Sequence, residues 1–342
     1  MLETYFPGFG TPAAAVIATL VALYLAPGLI QAARRYDIVD RPTTSLKTQL
    51  EPVPYLGGLV VFLSFLLAVA LTFPFDNRVL AILLMSSLVV AVGLVDDLGT
   101  LIPRDKLIGQ IIAALVLVKA GVKIEIEVLP FPADETLSVL WLVTCMNAYN
   151  ILDVSDGLAT RAGLVGSAGF LLVAIAQGDT RMAILAAAMF GALLGFLRFN
   201  QAPARMYLGD TGAMLLGAVL GALALQGQYS AHNDVSAFFV PLTLLALPLF
   251  DLTLVVLARW RGGKTIYHGS RDHFAVRFRD HGMGAQKIAR RSTWVGALCA
   301  SAGLGSMYLE NQWALVVAAG TTLSGLILLA WIWKRFPART ES

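Results

Sequence analysis

Charge is what this chain has least of. Only 14% of its 342 residues are Asp, Glu, Lys or Arg, against roughly 25% in an ordinary soluble domain, and that shortage excludes a soluble globular enzyme. Cysteine is almost missing as well. Cys145 and Cys299 both sit inside apolar runs, so they say nothing about redox compartment and their spacing does not make a metal site. The first ten residues, MLETYFPGFG, contain no Lys or Arg. The positive n-region of a secretory signal is therefore lacking, and the first apolar run is read as a retained helix.

Hydrophobic residues fill the gap, at 57% of the chain. At about 20 apolar residues per membrane span, the chain holds at most about a dozen spans with short loops and no large extramembrane domain. Eleven apolar segments are legible, at 11–33, 56–74, 79–97, 107–122, 136–152, 157–177, 181–198, 210–226, 237–258, 292–309 and 313–334. The 31 glycines and 9% aromatic residues suit helices that pack closely in lipid. The expected fold is an all-α polytopic integral membrane protein with about 11 transmembrane helices. No repeat or linker divides it, so residues 1–342 are read as one unit. The stretch 123–132 (KIEIEVLPFP) alternates, which predicts a small β-hairpin at one membrane surface.

An odd number of spans puts the termini on opposite sides, and the distribution of basic residues chooses between the two orientations. With the N-terminus outside, 21 of the 25 Lys and Arg fall on the inner side, nine of them in a basic loop at 259–291. The N-terminus and the hairpin are then periplasmic, and residues 259–291 are cytoplasmic. In this topology the unusual polar residues gather at the cytoplasmic ends of the helices. Asp96 and Asp97 close the third segment; Asn147, Asn150, Asp153 and Asp156 close the fifth; Asn200 and Asp210 bracket the loop into the eighth. Asp272 and His273 lie in the basic loop.

Each group has a plain reading beside a chemical one. Asp96 and Asp97, in GLVDDLGT, are two anions at the negative end of a helix dipole, disfavoured by that dipole and by each other. They are either a solvated helix end or a pair awaiting a cation. Neighbours on a helix point about 100° apart, so the two are expected to do different jobs. In NAYNILDVSDGLAT four amide and carboxylate residues recur every third position. That ladder supplies oxygen ligands on one side of a helix, whereas a simple helix cap needs one such residue. In ARMYLGDTGAMLLG, Asp210 is either an ordinary N-cap or a metal ligand beside a phosphate held at the helix N-terminus. His268, His273 and His281 share the basic loop with Arg271, Arg277 and Arg279. Their spacing is not that of a strong zinc motif, and an anion-binding loop with one functional histidine is favoured. Together these residues describe a Mg²⁺-assisted phosphate site, with a phosphorylated lipid on the membrane side and a nucleotide on the water side.

These motifs resemble the polyprenyl-phosphate N-acetylhexosamine-1-phosphate transferases, the superfamily of the phospho-MurNAc-pentapeptide and GlcNAc-1-phosphate transferases. The resemblance runs from about Asp40 to Gly284. It is carried by DRP (40–42), PYLGG (54–58), VDDLGT (95–100), KLIGQ (106–110), NAYNILDVSDGLA (147–159), FLRFNQAPARMYLGDTGA (196–213), PLFD (248–251) and DHFAVR (272–277). It implies a multi-pass enzyme of the bacterial inner membrane with a cytoplasmic active site. The activity implied is transfer of a sugar-1-phosphate from a UDP-N-acetylhexosamine to undecaprenyl phosphate, with release of UMP, as the first membrane step of a cell-envelope glycan pathway. The implied cofactor is Mg²⁺, with Mn²⁺ as a substitute. By motif position, Asp210 is the metal ligand with Asn150 as a second, and Asp96, Asp97, Asp210 and His273 are catalytic. Lys47, Asn147, Asn150, Asp153, Asp156, Asn200, Arg205, Arg271 and Arg277 bind substrate. Nucleic acid is not an expected partner, and a second copy of the chain is a candidate one.

Three departures from the family pattern stand out. Val154 replaces the usual Gly of D-G-x-D-G, Ala275 and Val276 stand where the last loop usually has two more histidines, and Gln49 stands where the first loop often has a His. The missing histidines argue against a MurNAc-pentapeptide substrate. Two rivals are weaker. DVSDGLATR (153–161) resembles the start of a CDP-alcohol phosphotransferase motif, but residues 162–178 lack the further Asp pair it requires. A secondary transporter places its carboxylates near the bilayer midplane, and here Asp251 is the main acid so placed.

Overall fold

A computed structural model describes residues 9–41, 52–73, 76–99, 101–124, 132–229, 233–263 and 271–337. Lys47, Gln49, His268 and most of the alternating stretch, residues 125–131, lie outside these.

Small residues set how the bundle begins. Helix α1 (Gly10–Arg35) carries Ala14, Ala18, Ala22 and Ala26 four apart, all fully buried. They face α7 (Thr180–Asn200), where a Cβ on Gly191 would collide with the Ala15 carbonyl. The Thr19 hydroxyl crosses this seam to the Gly191 carbonyl at 3.0 Å. Small residues letting two backbones approach, with a hydroxyl between them, are how helices associate in lipid, where no water is left to expel.

The other helices follow in chain order: α2 (Gly57–Thr72), α3 (Asn77–Asp97), α4 (Pro103–Lys119), α5 (Ala133–Leu152), α6 (Leu158–Gln177), then α8 (Gly209–Gln226), α9 (Val235–Leu244), α10 (Ala246–Arg261), the short α11 (Phe274–Asp280), α12 (Ala285–Ser306) and α13 (Asn311–Arg335). Their starts carry ordinary signals. Asp76 and Asp179 cap α3 and α7 by accepting from Val79 N and Met182 N at 2.8 and 3.0 Å, and Pro103 opens α4. One cluster of buried apolar residues runs from Ala14 to Ile332. Leu315, Val316, Leu326 and Ile327 of α13 point outward, as side chains bathed in lipid do. Six helices are long and apolar enough to cross a membrane, or seven if α9 and α10 count as one broken span. The chain is thus a helical, multi-pass membrane protein.

All eleven apolar segments coincide with helix, and two differences have physical causes. The run at 237–258 is not one rod: it breaks at Leu245 with an 80° bend between α9 and α10. Pro241 and Pro248, on either side of the break, each remove a backbone donor. The basic stretch 259–291 is not all loop either. It contains α11 and the first turns of α12, where Ile288 and Ala289 are buried while Gln286, Lys287, Arg290 and Arg291 on either side are exposed, an amphipathic start that mean hydropathy misses. A short antiparallel pair, β1 (Val39–Asp40) with β2 (Val53–Pro54), closes the first inter-helix loop.

Candidate active site

The loop into α8 is built on β2 and α2. Tyr207 N–H donates to the Pro54 carbonyl at 2.8 Å, and the Gly57 and Gly58 N–H groups donate to the Tyr207 and Leu208 carbonyls at 3.1 and 2.8 Å. Gly209 then takes a left-handed φ of 73°, and a Cβ there would lie 2.8 Å from Asp97 Oδ2 and 2.9 Å from the Tyr55 carbonyl. Only glycine fits. The turn brings the start of α8 against the end of α3, so the N-terminus of one helix meets the C-terminal carboxylates of the other.

The two adjacent carboxylates divide at this junction. Asp97 accepts from Asp210 N at 2.8 Å, Thr211 N at 3.2 Å and Thr211 Oγ1 at 2.6 Å. It caps α8 from outside, since no side chain from that helix's own start does so, and its charge sits at the positive end of the α8 dipole. Asp96 turns the other way and pairs with Lys106 Nζ at 2.6 Å. The same ammonium lies 2.9 Å from Asp210 Oδ2 and 3.2 Å from Asn150 Oδ1. Asn150 Nδ2 completes the ring by donating to Asp210 Oδ1 at 2.6 Å. Asp210 is therefore not the N-cap of α8, and its carboxylate points into a four-residue polar ring contributed by α3, α4, α5 and α8.

The rest of the ladder sorts by partner. Asn147 donates to Gln110 Oε1 and the Val143 carbonyl, both at 2.8 Å, tying α5 to α4 below the ring. Asp153, just past α5, has its carboxyl pushed up to about 8, first by burial and then by the negative charges of Asp210, Asp97 and Asp156. At neutral pH it holds a proton that it is able to donate. Asp156 accepts from Ala204 N at 3.0 Å. Burial raises its pKa, while that hydrogen bond and the charge of Arg279 act in the opposite sense. Between them the Ser155 hydroxyl is buried with no partner among the described residues. Val154 packs against the core, and its φ is not positive, so the β-branched residue at the usual Gly position carries no strain.

Some expected binding residues have internal tasks. Asn200 is 2% exposed; its carbonyl accepts from Thr160 Oγ1 at 2.6 Å and its amide donates to the Met206 carbonyl at 3.0 Å, which fixes the turn before α8. Arg277 is 3% exposed. Its guanidinium donates to the Asp272 carbonyl at 2.9 Å and the Phe336 carbonyl at 3.3 Å, and lies 5.2 Å from the Trp333 ring centre. That side chain fastens α11 to the end of α13. Arg271 pairs with Asp280 at 3.2 Å, and Arg205 is exposed with its guanidinium 5.7 Å from the Phe199 ring centre. His273 precedes α11, and its Nδ1 is 2.9 Å from Asp251 Oδ2. Asp251 thus joins the basic loop and does not line a path through the bundle. Ala275 and Val276, where the family pattern has histidines, are buried.

Lys106 in the ring and Gln110 below it have no assignment from sequence. Lys106 is the cation that Asp96 and Asp97 called for, and it lies in the first turn of α4, where the helix dipole disfavours a positive charge. That misfit was the available signal. Gln110, one turn further on and 1% exposed, donates to Met214 Sδ at 3.1 Å; a buried amide facing α8 marks the same helix face.

Comparison with known proteins agrees with this geometry. The family model for glycosyl transferase family 4 matches residues 79–228, which span every member of the polar ring. A Bacillus subtilis protein named as an undecaprenyl-phosphate N-acetylglucosaminyl 1-phosphate transferase is 27% identical over 277 residues, 78% of this chain and 77% of its own. The decaprenyl-phosphate N-acetylglucosaminephosphotransferase of Mycobacterium tuberculosis is 27% identical over 378 residues, 98% of this chain and 93% of its own. A protein described as a glycosyltransferase in Streptomyces coelicolor is 31% identical over 336 residues, 94% of this chain and 77% of its own. With that identity sustained along nearly the whole chain, and the family's motifs converging on one polar ring, the protein belongs to glycosyl transferase family 4.

Proposed function

We propose that the protein transfers an N-acetylhexosamine-1-phosphate, GlcNAc-1-phosphate in the first instance, from its UDP-sugar to undecaprenyl phosphate or a related polyprenyl phosphate. An oxygen of the lipid phosphate attacks the sugar-bearing phosphorus of the donor. A new P–O–P bond forms, the bond to the UMP phosphate breaks, and UMP leaves with the electron pair. The observation that carries this reading is the convergence of Asp96, Lys106, Asn150 and Asp210 on one point where four helices end. Relatives named for this chemistry with GlcNAc support it.

The ring suits a hard cation. Its side chains present two carboxylates and an amide oxygen. Mg²⁺ binds in that manner, through one or two carboxylates plus phosphates and water. Asp210 would hold it, with Asn150 as the second ligand. When bound it neutralises charge on the donor's diphosphate. Asp97 holds the α8 N-terminus in place, and Lys106 keeps Asp96 and Asp210 from repelling each other. The lipid phosphate has a second pKa near 6 and is mostly a dianion at pH 7, so Asp96 orients it and no base is required. Asp153, Ser155 and Asp156 face the UDP moiety, with Lys47 and Arg271 on its phosphates. Alignment and charge neutralisation are the main barrier-lowering terms in phosphoryl transfer.

The same reading sets eleven spans in one unit, with a periplasmic N-terminus and a periplasmic hairpin near residues 123–132. The ring and the basic loop face the cytoplasm of a bacterial inner membrane. Membranes containing the protein, incubated with UDP-[³H]GlcNAc, Mg²⁺ and undecaprenyl phosphate, are expected to yield labelled lipid and UMP. A panel with UDP-GalNAc and other UDP-HexNAc donors assigns the sugar. No Mg²⁺-dependent lipid product from any donor would overturn the proposal.

A further inference from the structure

The PLFD stretch at 248–251 has no task in the chemistry so far, yet its acid is the most deeply placed in the molecule. Asp251 is 0% exposed and sits on α10, the second limb of the broken helix. Its two oxygens take two consecutive residues of the basic loop: Oδ1 accepts from Phe274 N at 2.9 Å and Oδ2 lies 2.9 Å from His273 Nδ1. The Phe274 bond alone would tie down the loop. The second oxygen addresses the imidazole itself.

We infer that Asp251 is a positioning residue that holds His273 in one tautomer, with Nδ1–H on the carboxylate and Nε2 left as the ring's variable proton site. The inference rests on the transferase reading above. A carboxylate accepts and does not donate, so the paired nitrogen carries the hydrogen, and the hydrogen bond on one ring nitrogen decides what the other presents. Among the described residues nothing else bonds the His273 ring. Two other charged groups, Arg259 and Arg277, also act on the Asp251 carboxylate. Arg277 donates to Asp272 and to the Phe336 carbonyl, and Arg259, also buried, feels both Asp272 and Asp251. Asp251 thereby leaves Nε2 as the ring atom available to the donor's diphosphate. The loop is close enough to the site for Arg279 to act on Asp156.

A double-mutant cycle on the full-length protein in nanodiscs tests this. Asp251→Asn is expected to lower kcat at least 30-fold while the KM for UDP-HexNAc moves less than about threefold. His273→Ala is expected to lower kcat about 100-fold, and adding Asp251→Asn to it to change kcat less than about threefold. Equal losses from Asp251→Asn in both backgrounds would assign Asp251 to loop structure alone and overturn the inference, as would full activity of the single variant. ¹⁵N-histidine NMR of the wild type, assigned through His273→Ala, needs no Asp251 variant. A protonated, hydrogen-bonded Nδ1 supports the inference, and a bare Nδ1 overturns it. If the wild type makes no lipid product from any donor, the transferase reading fails, while the NMR still decides the pairing.

Discussion

Two groups of charge lie at helix ends in this molecule, and they are organised in opposite ways. In the ring at the ends of α3, α4, α5 and α8, one ammonium serves three oxygen-bearing side chains, and Asp210 keeps 41% of its side-chain surface open. In the group around α11, each charge is answered within the protein: the His273 and Asp251 side chains are 7% and 0% exposed, and those of Arg277 and Asp272 are 3% and 15%. A buried charge without a partner is penalised far more heavily than an exposed one, and these two ion pairs meet that requirement. The ring is short of positive charge, with Asp96 and Asp210 sharing the one ammonium of Lys106. Composition marks both places as rich in charge, and only the partner list separates the open ring from the paired and buried group.

The comparison is broken most decisively at Asp210. Asp210→Asn is expected to reduce turnover about 10³-fold, the loss of a cation's contribution of several kcal/mol, with no fall in the apparent unfolding temperature. Turnover by lipid product and unfolding by intrinsic fluorescence check both halves. Lys106→Met comes next, at about 100-fold in kcat, because Asp96 and Asp210 are left facing each other. Restored activity at raised Mg²⁺ would sharpen the assignment by showing that the lysine's role is charge balance. From the other group, Arg277→Ala is expected to lower the unfolding temperature by several degrees and to change the KM for UDP-HexNAc less than threefold. A large KM effect with unchanged stability would erase the distinction between the two groups. Asp97→Ala belongs with Arg277→Ala in kind: loss of an N-cap is worth about 1–2 kcal/mol of stability, read as a lower unfolding temperature.

The smallest expected effect is a pH dependence. Asp153 holds its proton up to about pH 8 because burial and its anionic neighbours raise the carboxyl. As pH rises through 8 it ionises and adds negative charge beside an anionic donor, so the KM for UDP-HexNAc is expected to increase severalfold. Asp153→Asn keeps a neutral group there and is expected to flatten the rise. An unchanged rise in that variant would assign the pH dependence to another group.

Much of the fold is legible because lipid imposes one simple rule, long apolar runs, and all eleven runs fall on helices. The rule is blind to direction within a run. The bend at Leu245 is signalled only by Pro241 and Pro248, and the amphipathic start of α12 only by the apolar pair Ile288 and Ala289 set between charged and polar residues. In the site, Asp96, Asp97, Asn150 and Asp210 stood out because acids and amides are rare in such a chain. Lys106 did not, since one lysine near a helix start looks like an interfacial anchor until the carboxylates across the bundle are seen. Arg277 and Asn200 have packing roles that were hidden for the converse reason. Their types suit a phosphate or a sugar, but burial against Trp333 and Thr160 is a tertiary fact that no spacing encodes.

Among the described residues the open cluster of charge around Asp210 is the proposed seat of the chemistry, and one measurement addresses it directly. UMP release by the purified protein in nanodiscs, from UDP-GlcNAc with undecaprenyl phosphate, should be followed across a Mg²⁺ titration for the wild type and Asp210→Asn. The account predicts release that requires both Mg²⁺ and the lipid acceptor and that is lost in the variant. Undiminished release in EDTA, or a variant that turns over like the wild type, would contradict it.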